Sequence, residues 1–167
     1  MSHPGSPAEQ VAEWVASHVV ARLTADKQTV ATAESLTGGL VCATLVAVPG
    51  ASAVVRGGLV AYAEDVKTGL LRVPADVLSR HGTVATETAV AMAESVRDVL
   101  GAEWGVATTG VAGPDQIEDK AVGTVHVAVA GPRGTRTDDL VSPGEREQVR
   151  AAAVGAALRL LREALDG

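Results

Sequence analysis

The amino-acid sequence predicts an α/β domain built in layers. Segments with helical periodicity and short β-branched runs alternate along almost the whole chain, the pattern of helices packed on a sheet. With 167 residues, 47% of them hydrophobic, the chain fits one domain that buries a sizeable core without disulfides. No internal repeat, low-complexity stretch or linker divides it.

The first seven residues, MSHPGSP, read as a disordered Pro/Gly/Ser tail, and residues 8–167 as a single domain. Val11, Val15, Val19 and Leu23 recur at helical spacing, so 8–24 reads as an amphipathic helix, and QTVATA at 28–33 as a short strand. The apolar segment 40–48 begins after a glycine pair and ends at Pro49-Gly50, which predicts a buried helix closed by a turn. VVRGGLVAY, 54–62, is a second strand, and Glu64 to Leu71 a short helix whose first-turn carboxylates suit the positive end of its dipole. Pro74 opens another short helix with Gly82 as its C′ residue. Residues 86–100 predict a long helix, with Thr86 as N-cap and Val90, Ala93, Val96 and Leu100 along its apolar side. Strands follow at 105–110, at 122–130 with alternating Val125, Val127 and Val129, and around 135–142, before a last helix over about 145–165.

Twenty acidic against fourteen basic residues give a formal net charge of −6, and no basic run is long enough to follow a phosphate backbone, so nucleic acid is not an expected partner. No apolar run reaches the roughly 18–20 residues that cross a bilayer, and the start of the chain lacks the basic and apolar regions of a signal peptide. With a single cysteine, Cys42, and hence no intramolecular disulfide, the expectation is a cytoplasmic protein without a membrane partner. The four histidines stand singly, with no spacing that suggests a metal. His126 reads as a packed mid-strand residue and Cys42, inside the apolar helix, as a buried inert thiol.

Chemistry is expected at two glycine- and hydroxyl-rich seams. AESLTGG, residues 33–39, joins a strand to a helix, which places Ser35 at the carboxyl edge of a sheet, where open α/β sheets bind ligands. Amides at the following helix start can hold a phosphate or an oxyanion; alternatively Ser35 or Thr37 is an N-cap and the glycines serve packing. Glu34 either orients a neighbouring cation or caps the turn. TTGVAGPD, residues 108–115, follows a strand in the same way. Lys67 comes early in the helix after strand 54–62, at the same edge as Ser35. A desolvated lysine with a lowered pKa can take a serine proton where no histidine is placed to do so; the alternative is a solvated surface lysine.

Taken in order, AESLTGG, VPGAS, GGLVAYAEDVKTGLL, HGTVATETAVAMAE, TTGVAGPD, VGTVHVA and GEREQVR resemble the CinA C-terminal domain family, the nicotinamide-nucleotide amidohydrolases, from about residue 9 to residue 164. The resemblance implies a three-layer α/β/α sandwich, in a stand-alone form without the long N-terminal domain of full-length CinA proteins. It implies hydrolysis of the carboxamide of nicotinamide mononucleotide to nicotinate mononucleotide and ammonia, in pyridine nucleotide recycling, with a small-molecule substrate as partner and neither metal nor cofactor.

By that resemblance Ser35 is the nucleophile, Lys67 the general base, and Tyr62 lines the ring or orients Lys67. Thr37, Gly38 and Gly39 belong to the substrate-binding motif, with the amides near Gly38 and Gly39, or Thr109 beside Gly110, stabilising the oxyanion. Ser52 matches the serine of the PG-x-S turn and stays open as an alternative nucleophile, while Arg146 presents a fork suited to phosphate. The chain departs from the family pattern at Glu64, where an asparagine is usual, and at Gln116-Ile117-Glu118-Asp119, where a Gly-Gly pair is usual. Carboxylates added there are expected to repel a phosphate monoester. The second reading is a nucleotide-binding or regulatory module that has lost turnover; a role in DNA uptake would require salt-dependent DNA binding. The Ala-rich last helix packs either on the domain's own sheet or on another subunit of a homo-oligomer.

Overall fold

The structure, a computed structural model, describes residues 7–167. The expected tail lies outside the described residues except for Pro7, which opens α1 (Pro7–Asp26), a position where its missing N–H costs nothing. Then follow β1 (Val30–Glu34), α2 (Leu40–Val46), a 3₁₀ turn (Ala51–Ala53), β2 (Val55–Val60), α3 (Glu64–Gly69), α4 (Ala75–His81), α5 (Thr86–Leu100), β3 (Trp104–Gly110), β4 (Thr124–Gly131), β5 (Gly134–Val141) and α6 (Arg146–Asp166).

The five strands form one mixed sheet in the order β2-β1-β3-β4-β5. β2 and β3 run parallel to β1, and β4 and β5 continue the sheet antiparallel. Alternation along the strands gives the sheet two unlike faces. Val30, Val106, Val125, Val127 and Val129 point to one side, where α1, α2 and α6 supply Val19, Leu23, Leu45, Leu158 and Leu161 to the core. Ala31, Ala33, Ala107, Ala128 and Ala130 point to the other, under Leu78 of α4 and Met92, Ala93 and Val96 of α5. The result is a three-layer α/β/α sandwich in which the alanine face lets α5 lie close. At Gly105 a Cβ would fall on the carbonyl oxygen of Ala93, so only glycine admits the helix there.

Boundaries shift where tertiary contacts compete with propensity. β2 ends at Val60 because Ala61 and Tyr62 leave the ladder and turn their carbonyls to Lys67. The N-cap of α5 is Ala85, not Thr86: the Thr86 hydroxyl donates to Asp139 at 2.8 Å and lies 3.2 Å from His126 Nδ1. His126 is mostly buried on β4, with Nδ1 2.7 Å from Asp139 on β5. Val11 stays exposed at the outer end of its helix's apolar stripe. Among the described residues no helix is long and apolar enough to cross a membrane.

Pairing of Glu34 with both Val60 and Thr108 makes β1 and β2 end level, with β3 running on to Gly110 at the same edge. Their carboxyl ends therefore deliver the residues that follow each strand to a single edge.

Candidate active site

At that edge lies a cavity of about 120 Å³ lined by Ser35 and Leu36 after β1, Tyr62 and Lys67 after β2, Thr83 and Val84 before α5, Thr109, Gly110, Ala112, Gly113 and Ile117 at the end of β3 and along its loop, and Arg146 of α6. With roughly 30 Å³ per water in the liquid, this holds one small head group, and a nucleotide-sized ligand must extend past Tyr62 and Arg146.

Lys67 is 1% exposed, and its Nζ lies 3.1 Å from Ser35 Oγ, 2.6 Å from the Ala61 carbonyl and 3.0 Å from the Tyr62 carbonyl. Burial pushes its pKa down, opposed by the negative charges of Glu118 and Glu64. A neutral amine has two N–H donors and one lone pair. As an ammonium Lys67 donates to Ser35 Oγ and to both carbonyls; in the neutral form the two carbonyls take its two donors and the lone pair faces the serine hydroxyl.

Glu34 is 1% exposed and neither contacts Lys67 nor enters the cavity. Its Oε2 accepts the amides of Gly39 and Val41, both at 3.0 Å, and the Thr37 hydroxyl at 2.6 Å. Its Oε1 accepts the Cys42 amide at 2.8 Å and the Thr32 hydroxyl at 3.2 Å. A carboxylate from the preceding strand thus occupies the start of α2. This corrects the expectation that Gly38 and Gly39 cradle an anion: the Gly39 amide serves Glu34, and the Gly38 amide donates to the Ser35 carbonyl at 3.1 Å. Both glycines have positive φ, 59° and 101°, which lets the turn fold back over Glu34. The Thr37 side chain is fully buried, 2.8 Å from the Thr108 hydroxyl, and is structural.

Ser52 is a second correction. It lies in the 3₁₀ turn before β2, at the amino end of the strand, in a separate shallow hollow of about 430 Å³ lined by residues 46–52, Cys42, Val55 and Gly57. Strand β2 separates it from Lys67, so it does not compete with Ser35. Cys42 is half-buried, its thiol pKa raised by desolvation and by Glu34 against a hydrogen bond with Thr32, as suits an unreactive thiol.

Of the remaining candidates, Tyr62, Thr109, Gly110 and Arg146 line the cavity. The Thr109 hydroxyl is engaged, donating to the Thr83 carbonyl at 2.6 Å. Arg146, the first residue of α6, donates to the Gly113 carbonyl at 2.7 Å and to the Tyr62 hydroxyl at 3.2 Å, and both it and Tyr62 are exposed at the mouth. Arg150, one turn further, was not singled out by the sequence. It donates to the carbonyls of Leu36 at 2.9 Å and Thr37 at 3.2 Å and so ties the serine turn to α6. The Glu118 carboxylate is turned into the amides and hydroxyl of Thr83 and Val84, and Glu64 is exposed outside the cavity, so neither faces its interior.

Fold and site together define a layered α/β domain that carries a buried serine–lysine pair at the carboxyl edge of its parallel strands. Residues 12–165 match the CinA C-terminal domain model, and the chain belongs to that family. It is 52% identical over 139 residues to a CinA-like protein of Frankia casuarinae, covering 83% of this chain and 32% of that protein. To a CinA-like protein of Anaeromyxobacter dehalogenans it is 53% identical over 148 residues, covering 88% and 36%. The chain therefore spans about a third of the length of these curated relatives. Among solved structures, the competence/damage inducible protein CihA from Agrobacterium tumefaciens superposes with a TM-score of 0.89 at 35% identity over the whole of both chains. A CinA superfamily protein from Enterobacter cloacae does so with 0.90 at 30% identity, over 99% of this chain and 96% of that one.

Proposed function

We propose that the chain is an amidohydrolase that converts nicotinamide mononucleotide to nicotinate mononucleotide and ammonia. The observation that carries the reading is the buried lysine amine 3.1 Å from a serine hydroxyl at the wall of a cavity. Neutral Lys67 takes the Ser35 proton as Oγ attacks the amide carbon, and returns it to the departing nitrogen as ammonia leaves. Water then hydrolyses the acyl-enzyme with Lys67 again as base.

The oxyanion needs backbone donors, and Gly38 and Gly39 are already engaged. We assign this role to the amide of Leu36, which directly follows the nucleophile and lines the cavity. Arg146, exposed at the mouth beside Tyr62, suits the phosphate that a 120 Å³ cavity leaves outside. The carboxamide and its ring then fill the interior, which presents Leu36, Val84, Ala112 and Ile117 as apolar walls.

The test is release of ammonia and nicotinate mononucleotide from nicotinamide mononucleotide by the purified protein, beside Ser35→Ala and Lys67→Ala variants. Release that both variants lose supports the amidase and its pair together. Bound nucleotide without release would leave a binding module that has lost turnover.

A further inference from the structure

The turn Ile117–Lys120 closes through the Lys120 amide on the Ile117 carbonyl at 2.8 Å and the reverse bond at 3.3 Å. Its two central residues, Glu118 and Asp119, have φ of 51° and 60°. Residues with a Cβ keep such a conformation only where their surroundings impose it. The tight two-residue closure sets it, and the Glu118 side chain anchors the turn to its neighbours. Its oxygens accept the Thr83 amide at 2.9 Å each, the Thr83 hydroxyl at 2.7 Å and the Val84 amide at 3.2 Å. Gly82 makes room, since a Cβ there would meet the Glu118 carboxylate.

This contact joins two walls of the cavity. Thr83 and Val84 line one side and Ile117 another, while the Thr83 carbonyl is the acceptor for Thr109. Ile117 is 46% exposed, so its apolar surface is directed to the cavity mouth and not wholly into a core.

We propose that Glu118 latches this turn to the start of α5, and that Ile117, so held, is the wall against which the aromatic head group of the substrate lies. The inference rests on the amidase reading for its ligand. Glu118 is a positioning residue: it acts through Thr83 and Ile117 and touches no reacting atom. The carboxylates at 116–119 then serve to shape the site, with Glu118 answered by three donors instead of facing the phosphate.

The test uses the full chain and the variants Glu118→Ala, Glu118→Gln and Ile117→Ala, each checked for native circular dichroism. Hydrogen exchange reads the latch without substrate: in Glu118→Ala the amides of Thr83 and Val84 should exchange about tenfold faster, as for loss of a hydrogen bond to a charged acceptor. Affinity for nicotinamide mononucleotide, by calorimetric titration, should weaken about tenfold in Ile117→Ala, as for lost apolar contact in a pocket. It should weaken in Glu118→Ala as well, with Glu118→Gln restoring much of it because an amide oxygen still accepts from Thr83. At alkaline pH KM should rise while kcat holds. Unchanged exchange in Glu118→Ala overturns the latch, and unchanged affinity in Ile117→Ala overturns the wall. A parent protein that binds the nucleotide without hydrolysing it sinks the amidase reading alone, and the same two readouts still judge the latch and wall. A parent that does not bind it overturns the amidase reading and the wall, while exchange in Glu118→Ala still judges the latch.

Discussion

Lys67 Nζ and Ser35 Oγ, 32 positions apart in sequence, meet at 3.1 Å because β1 and β2 are parallel neighbours that end level. Replacing Ser35 by Ala, or Lys67 by Met, should lower turnover by about 10²–10⁴, the range of a lost general base and its nucleophile. Circular dichroism should remain native. Steady-state rates at saturating nucleotide decide it, and a Lys67→Met enzyme with parental kcat would end the serine–lysine mechanism.

Turnover should depend on pH with a definite sign. Lys67 must be neutral to act, and burial lowers its pKa against the pull of Glu118 and Glu64, so kcat should rise as pH climbs through that lowered value and then level. Glu118→Gln, by removing one opposing charge, should move the rise to lower pH. Stability runs in the same sense: between the folded pKa and the ordinary lysine value the unfolded chain holds the extra proton, so unfolding free energy increases with pH across that window. A pH series of kcat and of denaturation midpoints reads both.

On the acid side Glu118 governs a second window. Burial raises its pKa, but hydrogen bonds from Thr83 and Val84 and the charge of Lys120 outweigh that and hold it below the usual carboxylate range. Its contribution is complete above the ordinary glutamate value and is lost as pH falls through the lowered one. The parent should lose more stability than Glu118→Gln between about pH 5 and pH 3, measured by thermal melts.

Glu34 sits beside Ser35 and has the opposite duty, holding three amides and two hydroxyls inside the turn. Glu34→Gln places an amide nitrogen against N–H donors and should destabilise by roughly 3 kcal/mol. For a chain of this size each kcal/mol lowers Tm by about 2–4 °C. Calorimetry checks it; an unchanged Tm would mean that the turn does not depend on this carboxylate.

Gly105→Ala tests the close layer. The added methyl meets the backbone of Ala93, so α5 must lift from the sheet at a cost of about 1–3 kcal/mol or more. Gly101→Ala, in open space at φ 60°, should cost only about 1–2 kcal/mol from backbone strain. Melting both variants separates steric from conformational loss.

Arg146→Ala should weaken nucleotide binding about 10–100-fold, the worth of a charge-assisted hydrogen bond, with the loss in KM and little in kcat. Dephosphorylated nicotinamide riboside should not distinguish parent from variant. If it does, Arg146 is not the phosphate contact.

Much of the fold was legible because the chain alternates two clear periods. Val125, Val127 and Val129 announced one core face. The meeting of Ser35 and Lys67 was readable because both follow strands at one sheet edge. Glu34's duty was not, since the amides that donate to it lie five to eight residues downstream and no local pattern marks them. Ser52 was drawn in by its motif, although a position before β2 belongs to the far edge of a parallel sheet. Glu118 read as a repelling charge because its partners, Thr83 and Val84, are 35 and 34 residues away. Arg150 escaped notice as one more charge on a helix face, yet it reaches the carbonyls of Leu36 and Thr37 across 114 and 113 positions.

That last tie bears on synthesis. The Ser35 turn is translated before the arginines that brace it and border its cavity, which lie on α6. A nascent chain can pair β1 with β2 and bring Lys67 to Ser35, but until α6 leaves the ribosome and docks, the turn lacks its brace and the cavity one wall. A chain cut between the end of β5 and Arg146 would carry all five strands, the serine and the lysine, but neither arginine to finish the pocket around them.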